Sequence, residues 1–342
     1  MKKINSIFIL FVISLTVMSC NSNNVKPYSE TSFALGTVCS ITLYEKNNDF
    51  SFQEAFKIIQ NIENKMSPVI LNSELDQINS NAGINPVKVS EDTFFVIEEG
   101  IKYANLPGSK FDITIGPLVN LWAIGTEKQN VPETHTIEAV LPFIGSQNIL
   151  LNNNEKTVFL QYKNMAIDLG GIAKGYAADI LKEFLLNKGF TKGIINLGGN
   201  VLTFGKKNKE TLWKIGIQNP IDSRGQYIGT IETDESAVVT SGIYERYFEK
   251  NGNRYHHILD PDSGYPVENN LLSITIVAHN GIMADAYSTV VFSAGLIRGM
   301  EILESTDKLE GIFITKDKKI FVSSGLEEYF QLTSSNFSLV DF

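Results

Sequence analysis

Cysteine is nearly absent from this chain: only Cys20 and Cys39 occur in 342 residues. A disulfide framework is therefore excluded, and no His/Cys cluster has zinc spacing. Histidine is scarce too, with four in all, so each one in polar company counts as a candidate. Proline is limited to 10, and low-complexity stretches are few, which argues against extended disorder. Positive charge is outweighed, with 29 Lys and Arg against 38 Asp and Glu, for a net charge of −9. No Lys/Arg stripe offsets that balance, so a nucleic-acid partner is not expected. No internal repeat and no linker-like stretch divides the main body of the chain, whose length suits one large domain or two intimately packed ones.

The N-terminus stands apart from that body. Lys2 and Lys3 form a basic start, and Ile4 to Val17 is an apolar stretch too short for a final membrane anchor. It ends in Val17-Met18-Ser19-Cys20, a pattern that resembles a bacterial lipoprotein signal with Cys20 as the lipidated residue. The expected division is a signal over 1–19, a polar tether over 20–31 and one folded domain over 32–342. Loss of the two lysines takes the net charge from −9 to −11. Cys39, in a strand-like run, reads as a small buried hydrophobe.

Periodicity predicts a strand over 32–45 and a helix over 51–66, where Phe52, Phe56, Ile59, Ile62 and Met66 recur at helical spacing. Ser73 and Ser90 are expected to cap two further helices. Residues 111–125 read as an ordered loop region with a helical turn. A helix over 174–187 follows a glycine-rich loop. Short strands are expected at 192–197, 211–218, 226–233, 243–250, 253–259 and 272–278, with Asn251-Gly252 as a hairpin turn. A helix over 281–304 and a hairpin over 310–323 close the chain. Strands follow one another without regular helical crossovers, which predicts an α+β fold with mixed, mostly antiparallel sheets and packed helices.

Three stretches carry chemistry. Asp168-Leu-Gly-Gly-Ile-Ala-Lys-Gly175 combines paired glycines, a helix start and Lys174, which suits either an anion site or a structural strand-to-helix turn. Asp285 and Thr289 lie four apart on one helix face, which suits an oxygen-ligated Mg²⁺ or an ordinary buried pair. His256 and His257 face opposite sides of a strand, with Asp260 and Gly264 in the turn that follows. Leu35-Gly-Thr37, Met66-Ser67, Asn72-Ser-Glu-Leu75 and Phe111-Asp-Ile-Thr-Ile-Gly-Pro-Leu118 add polar insertions beside apolar elements. Their neighbours form either a slot for a flat ring or core.

Taken in order, these motifs, with Asn196-Leu-Gly-Gly-Asn200, Thr240-Ser-Gly242, His257-Ile-Leu-Asp-Pro-Asp-Ser-Gly-Tyr-Pro266 and Ala284-Asp-Ala-Tyr-Ser-Thr289, resemble the ApbE family of FAD:protein FMN transferases. The resemblance covers roughly residues 32–325. It implies an ApbE-like fold and transfer of FMN from FAD to a threonine or serine hydroxyl of an acceptor flavoprotein, such as a redox-pump subunit, with release of AMP. It implies Mg²⁺ held by the side chains of Asp285 and Thr289 with a backbone contribution from Ala173. It implies flavin contacts from Leu35, Asn72, Ser73, Glu74, Asp112, Thr114, Lys174, His257 and Ile258. His257 is the expected base and Asp285 the expected catalytic carboxylate. Two alternatives remain on the same motifs: an FAD pyrophosphatase giving FMN and AMP, and a non-catalytic FAD-binding lipoprotein. Family acceptors carry an Asp-Gly-x-Ser/Thr-Gly-Ala-Ser/Thr segment, which this chain lacks. The expected location is the periplasmic face of a bacterial membrane, held by the lipid.

Overall fold

The computed structural model describes residues 26–207, 211–223 and 225–342. The lipidation site at Cys20 and the signal lie outside them. The described chain opens with a hairpin, β1 (Tyr28–Ala34) and β2 (Thr37–Leu43), and continues through α1 (Phe52–Met66), α2 (Glu74–Ser80), β3 (Val87–Lys88) and α3 (Glu91–Ala104). A 3₁₀ turn at Ile113–Ile115 runs into α4 (Gly116–Trp122), then α5 (Thr134–Val140), β4 (Ile149–Asn152) and β5 (Thr157–Leu160). Helix α6 (Ala173–Asn187) precedes β6 (Gly193–Leu197), β7 (Asn200–Phe204), β8 (Trp213–Gln218), β9 (Tyr227–Thr233) and β10 (Ala237–Gly242). The hairpin β11 (Tyr247–Lys250) and β12 (Asn253–His256) leads to β13 (Leu271–Ala278), α7 (Gly281–Ser305), β14 (Leu309–Thr315), β15 (Lys319–Val322), β16 (Phe330–Leu332) and β17 (Ser338–Leu339).

A nine-stranded sheet, in the order β1-β2-β6-β7-β10-β13-β14-β15-β17, is the frame. Its pairs are antiparallel except β15 with β17. Strand alternation sends its side chains into two different cores. On one face Ile274, Ile276, Val239 and Phe313 join α1, α6 and α7. On the other face Val238, Val277, Ile312 and Ile314 meet Trp213, Ile215 and Ile217 of a second, three-stranded sheet ordered β16-β9-β8. A third core gathers Leu118, Trp122, Ile137 and Leu259. There the Trp122 indole N–H donates to the Gly264 carbonyl at 2.8 Å, fastening α4 to the turn after the histidines.

The α+β expectation holds, with three local corrections. The predicted strand at 32–45 is a hairpin that turns at Leu35 (φ 53°) and Gly36 (φ 68°). The tether expected through residue 31 ends earlier, because Tyr28 already pairs with Leu43. That stretch reads as polar since Ser29, Glu30 and Thr31 lie on an edge strand with an open face. Strand β10 was not expected as an element. It is covered on both faces, so it lacks the alternation that betrays a half-buried strand. Its register with β7 covers only Ala237↔Leu202 and Val238↔Val201. Strand β7 starts at Asn200, so Thr240, Ser241 and Gly242 run on past it and line a cleft.

Candidate active site

The glycine loop and the start of α7 are locked together by close backbone contact. A Cβ at Gly175 would sit 2.1 Å from the Gly281 carbonyl oxygen and 2.7 Å from Asp285 Cβ, so only glycine lets α6 and α7 touch there. Asp179 secures the same junction by accepting from the amides of Gly281 (2.6 Å) and Ile282 (2.9 Å) at the N-terminus of α7. Asp285, one turn on, is buried. Its Oδ2 accepts from the Gly175 amide at 2.9 Å, and its Oδ1 accepts from Asn200 Nδ2 at 2.9 Å. Lys174 Nζ stands 3.8 Å from Oδ1 and donates to the Gly170 carbonyl at 3.0 Å. The buried carboxylate is thus held in one orientation by a backbone donor from α6 and a side-chain donor from β7, with the Lys174 ammonium beside it.

Thr289 stands one turn further along the same face of α7. Its hydroxyl takes no hydrogen-bond partner among the described residues. A Cβ at Gly171 would lie 3.5 Å from Thr289 Oγ1, so the absent side chain keeps that hydroxyl uncovered. One carboxylate, one uncovered hydroxyl and the nearby backbone form an oxygen donor set with few protein charges. That composition fits Mg²⁺ completed by phosphate oxygens and water, and it does not fit zinc. No cluster of three or more His, Cys, Asp or Glu exists among the described residues to offer a different metal site.

The two histidines separate as strand alternation predicts. His256 is buried and its Nε2 meets the Val267 carbonyl at 3.1 Å. Burial pushes its pKa down to about 4, and its Nδ1 has no partner. His257 turns toward the cleft, with its Nδ1 3.2 Å from the Arg246 carbonyl. A carbonyl can only accept, so Nδ1 carries the proton and Nε2 presents the lone pair. Part of the ring surface remains open to the cleft, while protein crowds it elsewhere. That enclosure, reinforced by the Arg246 guanidinium, holds the pKa well below the ordinary histidine range, with the hydrogen bond to the Arg246 carbonyl pulling the other way. At neutral pH the ring is an uncharged base.

Asp260 does not orient His257. Its Oδ1 accepts from the amide of Asp262 at 2.9 Å, and its Oδ2 pairs with Lys110. It closes the turn and ties that turn to the loop before α4.

A cleft of about 1140 Å³ collects these groups. Leu35, Asp112, Ala173, Lys174, His257, Ile258, Asp285 and Thr289 all line it, from positions spread across the sequence. Four expected flavin contacts do not. Asn72 holds a left-handed turn (φ 62°), with its amide donating to Asp76 Oδ2 at 2.8 Å. Ser73 is buried, caps α2 through the Asp76 amide at 2.9 Å and donates to the Ser67 carbonyl at 2.6 Å. Both oxygens of Glu74 accept from Ser90, at 3.0 Å from its amide and 2.8 Å from its hydroxyl. Thr114 is fully buried; its hydroxyl donates to Asp112 Oδ1 at 2.6 Å and accepts from the Gly145 amide at 2.7 Å. Ser73, Glu74 and Thr114 brace neighbouring elements, and Asn72 sits in an exposed turn; none of the four lines the cavity. Asp112 lines the cleft with its carboxylate already engaged by Thr114 and by the Ser146 amide at 3.0 Å. Sequence reasoning assigned no role to Asn200 or Arg246. Asn200 closes the Asn196-Leu-Gly-Gly-Asn200 motif, and only the fold brings it to Asp285.

Comparison with known proteins gives a consistent picture. The ApbE family model matches residues 35–313. An FAD:protein FMN transferase of Klebsiella pneumoniae (strain 342) is 36% identical over 314 residues, which cover 92% of this chain and 97% of that protein. One from Treponema pallidum (strain Nichols) is 29% identical over 349 residues, covering 97% and 96%. The crystal structure of an ApbE protein from Thermotoga maritima aligns with a TM-score of 0.82 at 31% identity, covering 89% of this chain and 99% of that one. The flavin transferase ApbE from Vibrio cholerae aligns with a TM-score of 0.79 at 26% identity, covering 89% and 99%.

Proposed function

The chain belongs to the ApbE family, and from that premise we propose that it transfers FMN from FAD onto an acceptor protein. The observation that carries the reading is one cleft holding both a neutral histidine with a free Nε2 and the Asp285/Thr289 oxygen corner beside a glycine loop.

In the reaction we infer, a threonine or serine hydroxyl of the acceptor attacks the FMN-side phosphorus of the FAD diphosphate. The new bond is a phosphoester to FMN, the bond to the AMP oxygen breaks, and AMP leaves. His257 Nε2 takes the hydroxyl proton while Nδ1–H stays anchored on the Arg246 carbonyl. Lys174 brings a cation to the diphosphate side, while the Ala173 and Gly175 amides are spent on the Leu169 carbonyl and Asp285. Asp285 and Thr289, with the Ala173 carbonyl, would hold Mg²⁺, which when bound neutralises the charge that builds on the diphosphate. Leu35 and Ile258 supply apolar surface for the flavin ring. The direct test is incubation with FAD, Mg²⁺ and an acceptor bearing the family's target segment, read as a covalent FMN adduct by mass spectrometry.

We also propose that lipid on Cys20 anchors the enzyme to a membrane facing the periplasm, as the signal-like N-terminus suggests. No described helix is long and apolar enough to cross a membrane. Cys20→Ser should release the protein into the soluble fraction. Unchanged membrane retention, with no incorporation of fatty-acid analogues into the wild type, would overturn the anchor.

A further inference from the structure

The acceptor must deliver a hydroxyl into a cleft, and one wall of that cleft is an unpaired strand edge. Strand β8 is the last strand of the three-stranded sheet, and Lys214, Ile215, Gly216, Ile217 and Gln218 all line the cavity. The direction of its backbone groups follows from its neighbours. Strand β9 turns the amide of Glu232 and the carbonyl of Ile228 toward β16 and the segment that extends it, as shown by Glu232 donating to Tyr329 at 3.0 Å and Thr333 donating to Ile228 at 2.8 Å. Even-numbered residues of β9 therefore face β16, and odd-numbered ones face β8. Through the register Trp213↔Thr233, Ile215↔Ile231 and Ile217↔Gly229, β8 spends its odd-numbered amides and carbonyls on β9.

The backbone groups of Lys214 and Gly216 point the other way, and those of Gln218 join them after the irregularity at Ile217/Gln218. None of these six groups has a partner among the described residues. The other edge strands differ: β1 lends only Thr31 to the cleft, and β16, β17, β3 and β4 lend nothing.

We propose that the acceptor protein's hydroxyl-bearing segment binds as an extended strand paired to the free edge of β8. Residues 214 to 218 span about 13 Å at strand rise, room for roughly five residues of a partner strand. Recognition through main-chain hydrogen bonds fixes the depth and direction of the segment while leaving its side chains little constrained. A partner of this kind is an exposed extended segment with small residues around the reacting hydroxyl. The proposal rests on the transferase reading above.

The test uses the whole protein and an acceptor domain carrying the Asp-Gly-x-Thr-Gly-Ala-Thr segment. Residue-resolved amide exchange is recorded with and without that acceptor, in the absence of FAD. The amides of Lys214, Gly216 and Gln218 should slow at least about tenfold on binding, while Trp213, Ile215 and Ile217 are already protected. Lys214→Pro removes one outward amide, and the KM for acceptor should rise about fivefold or more, with FAD affinity retained. Lys214→Ala keeps the amide and should leave that KM within about twofold. Covalent labelling with unchanged exchange at all three amides, or an unchanged KM in Lys214→Pro, overturns the docking mode and leaves the transferase reading standing. Absence of any labelling by the wild type defeats the transferase reading and the docking mode together.

Discussion

Removing the side-chain amide of Asn200 should weaken metal binding far more than it slows the reaction once metal is saturating. Asn200 is buried and donates to Asp285 Oδ1 at 2.9 Å, while Gly175 holds Oδ2 at the same distance. In Asn200→Ala the backbone donor remains and the side-chain donor is gone. A hydrogen bond to a charged group contributes about 1.5–3 kcal/mol, or roughly 10- to 150-fold in an equilibrium constant. Loss of an outer-shell partner of a metal ligand costs a similar factor, about 10- to 100-fold in affinity. The Mg²⁺ concentration for half-maximal AMP release should therefore rise by about 10- to 100-fold, with the rate at saturating Mg²⁺ within a few-fold of wild type. A Mg²⁺ titration at fixed FAD, with AMP measured by chromatography, reads both quantities. If the rate collapses while the Mg²⁺ requirement stays where it was, Asn200 acts on FAD itself and its role as orienter of Asp285 is refuted.

His257→Ala should slow transfer by about 10²–10⁴-fold with little change in FAD affinity, measured by single-turnover kinetics and flavin fluorescence. Because enclosure holds the His257 pKa below the ordinary range, the wild-type rate should stay flat from pH 8 to pH 6. A rate already falling with a midpoint near 6.5 would place the ring in water and contradict the geometry. His256 should make the fold acid-labile: with its pKa near 4 when folded and about 6.5 when unfolded, the unfolded state takes the proton first. Its contribution is intact above pH 6.5 and is lost as pH falls toward 4, amounting to about 2 kcal/mol between pH 7 and pH 5. Urea unfolding at those two pH values should show that loss in the wild type and lack it in His256→Gln; equal losses would assign the acid lability elsewhere.

Much of the site was legible because its motifs are local. The i, i+4 spacing of Asp285 and Thr289 survives as one face of α7, and alternation correctly parted His256 from His257. Asn251 (φ 54°) and Gly252 (φ 79°) make the hairpin turn that their identities demand. The Ser73 cap also forms. Other features depended on tertiary partners that one sequence does not display. Ser90 precedes α3 as expected, yet its hydroxyl goes to Glu74 instead of capping the helix, which removes Glu74 from the cleft. Thr114 looked like a polar contact beside a ligand, but burial turns it into a brace for Asp112. The stagger that carries Thr240–Gly242 of β10 past the start of β7 and into the cleft is set by tertiary pairing and has no signature in composition.

The central claim is that the Asp285/Thr289 corner supports transfer of FMN to a protein. The most direct measurement follows FAD cleavage and acceptor modification together, by chromatography and intact-protein mass spectrometry, in wild type and Asp285→Asn. Wild type with Mg²⁺ should yield AMP and FMN-modified acceptor in equal amounts, and a chelator should stop both. Asp285→Asn should bind FAD and produce neither at a comparable rate. Release of free FMN beside an unmodified acceptor would make the chain a pyrophosphatase, and full transfer in chelator or in Asp285→Asn would contradict the role assigned to that corner.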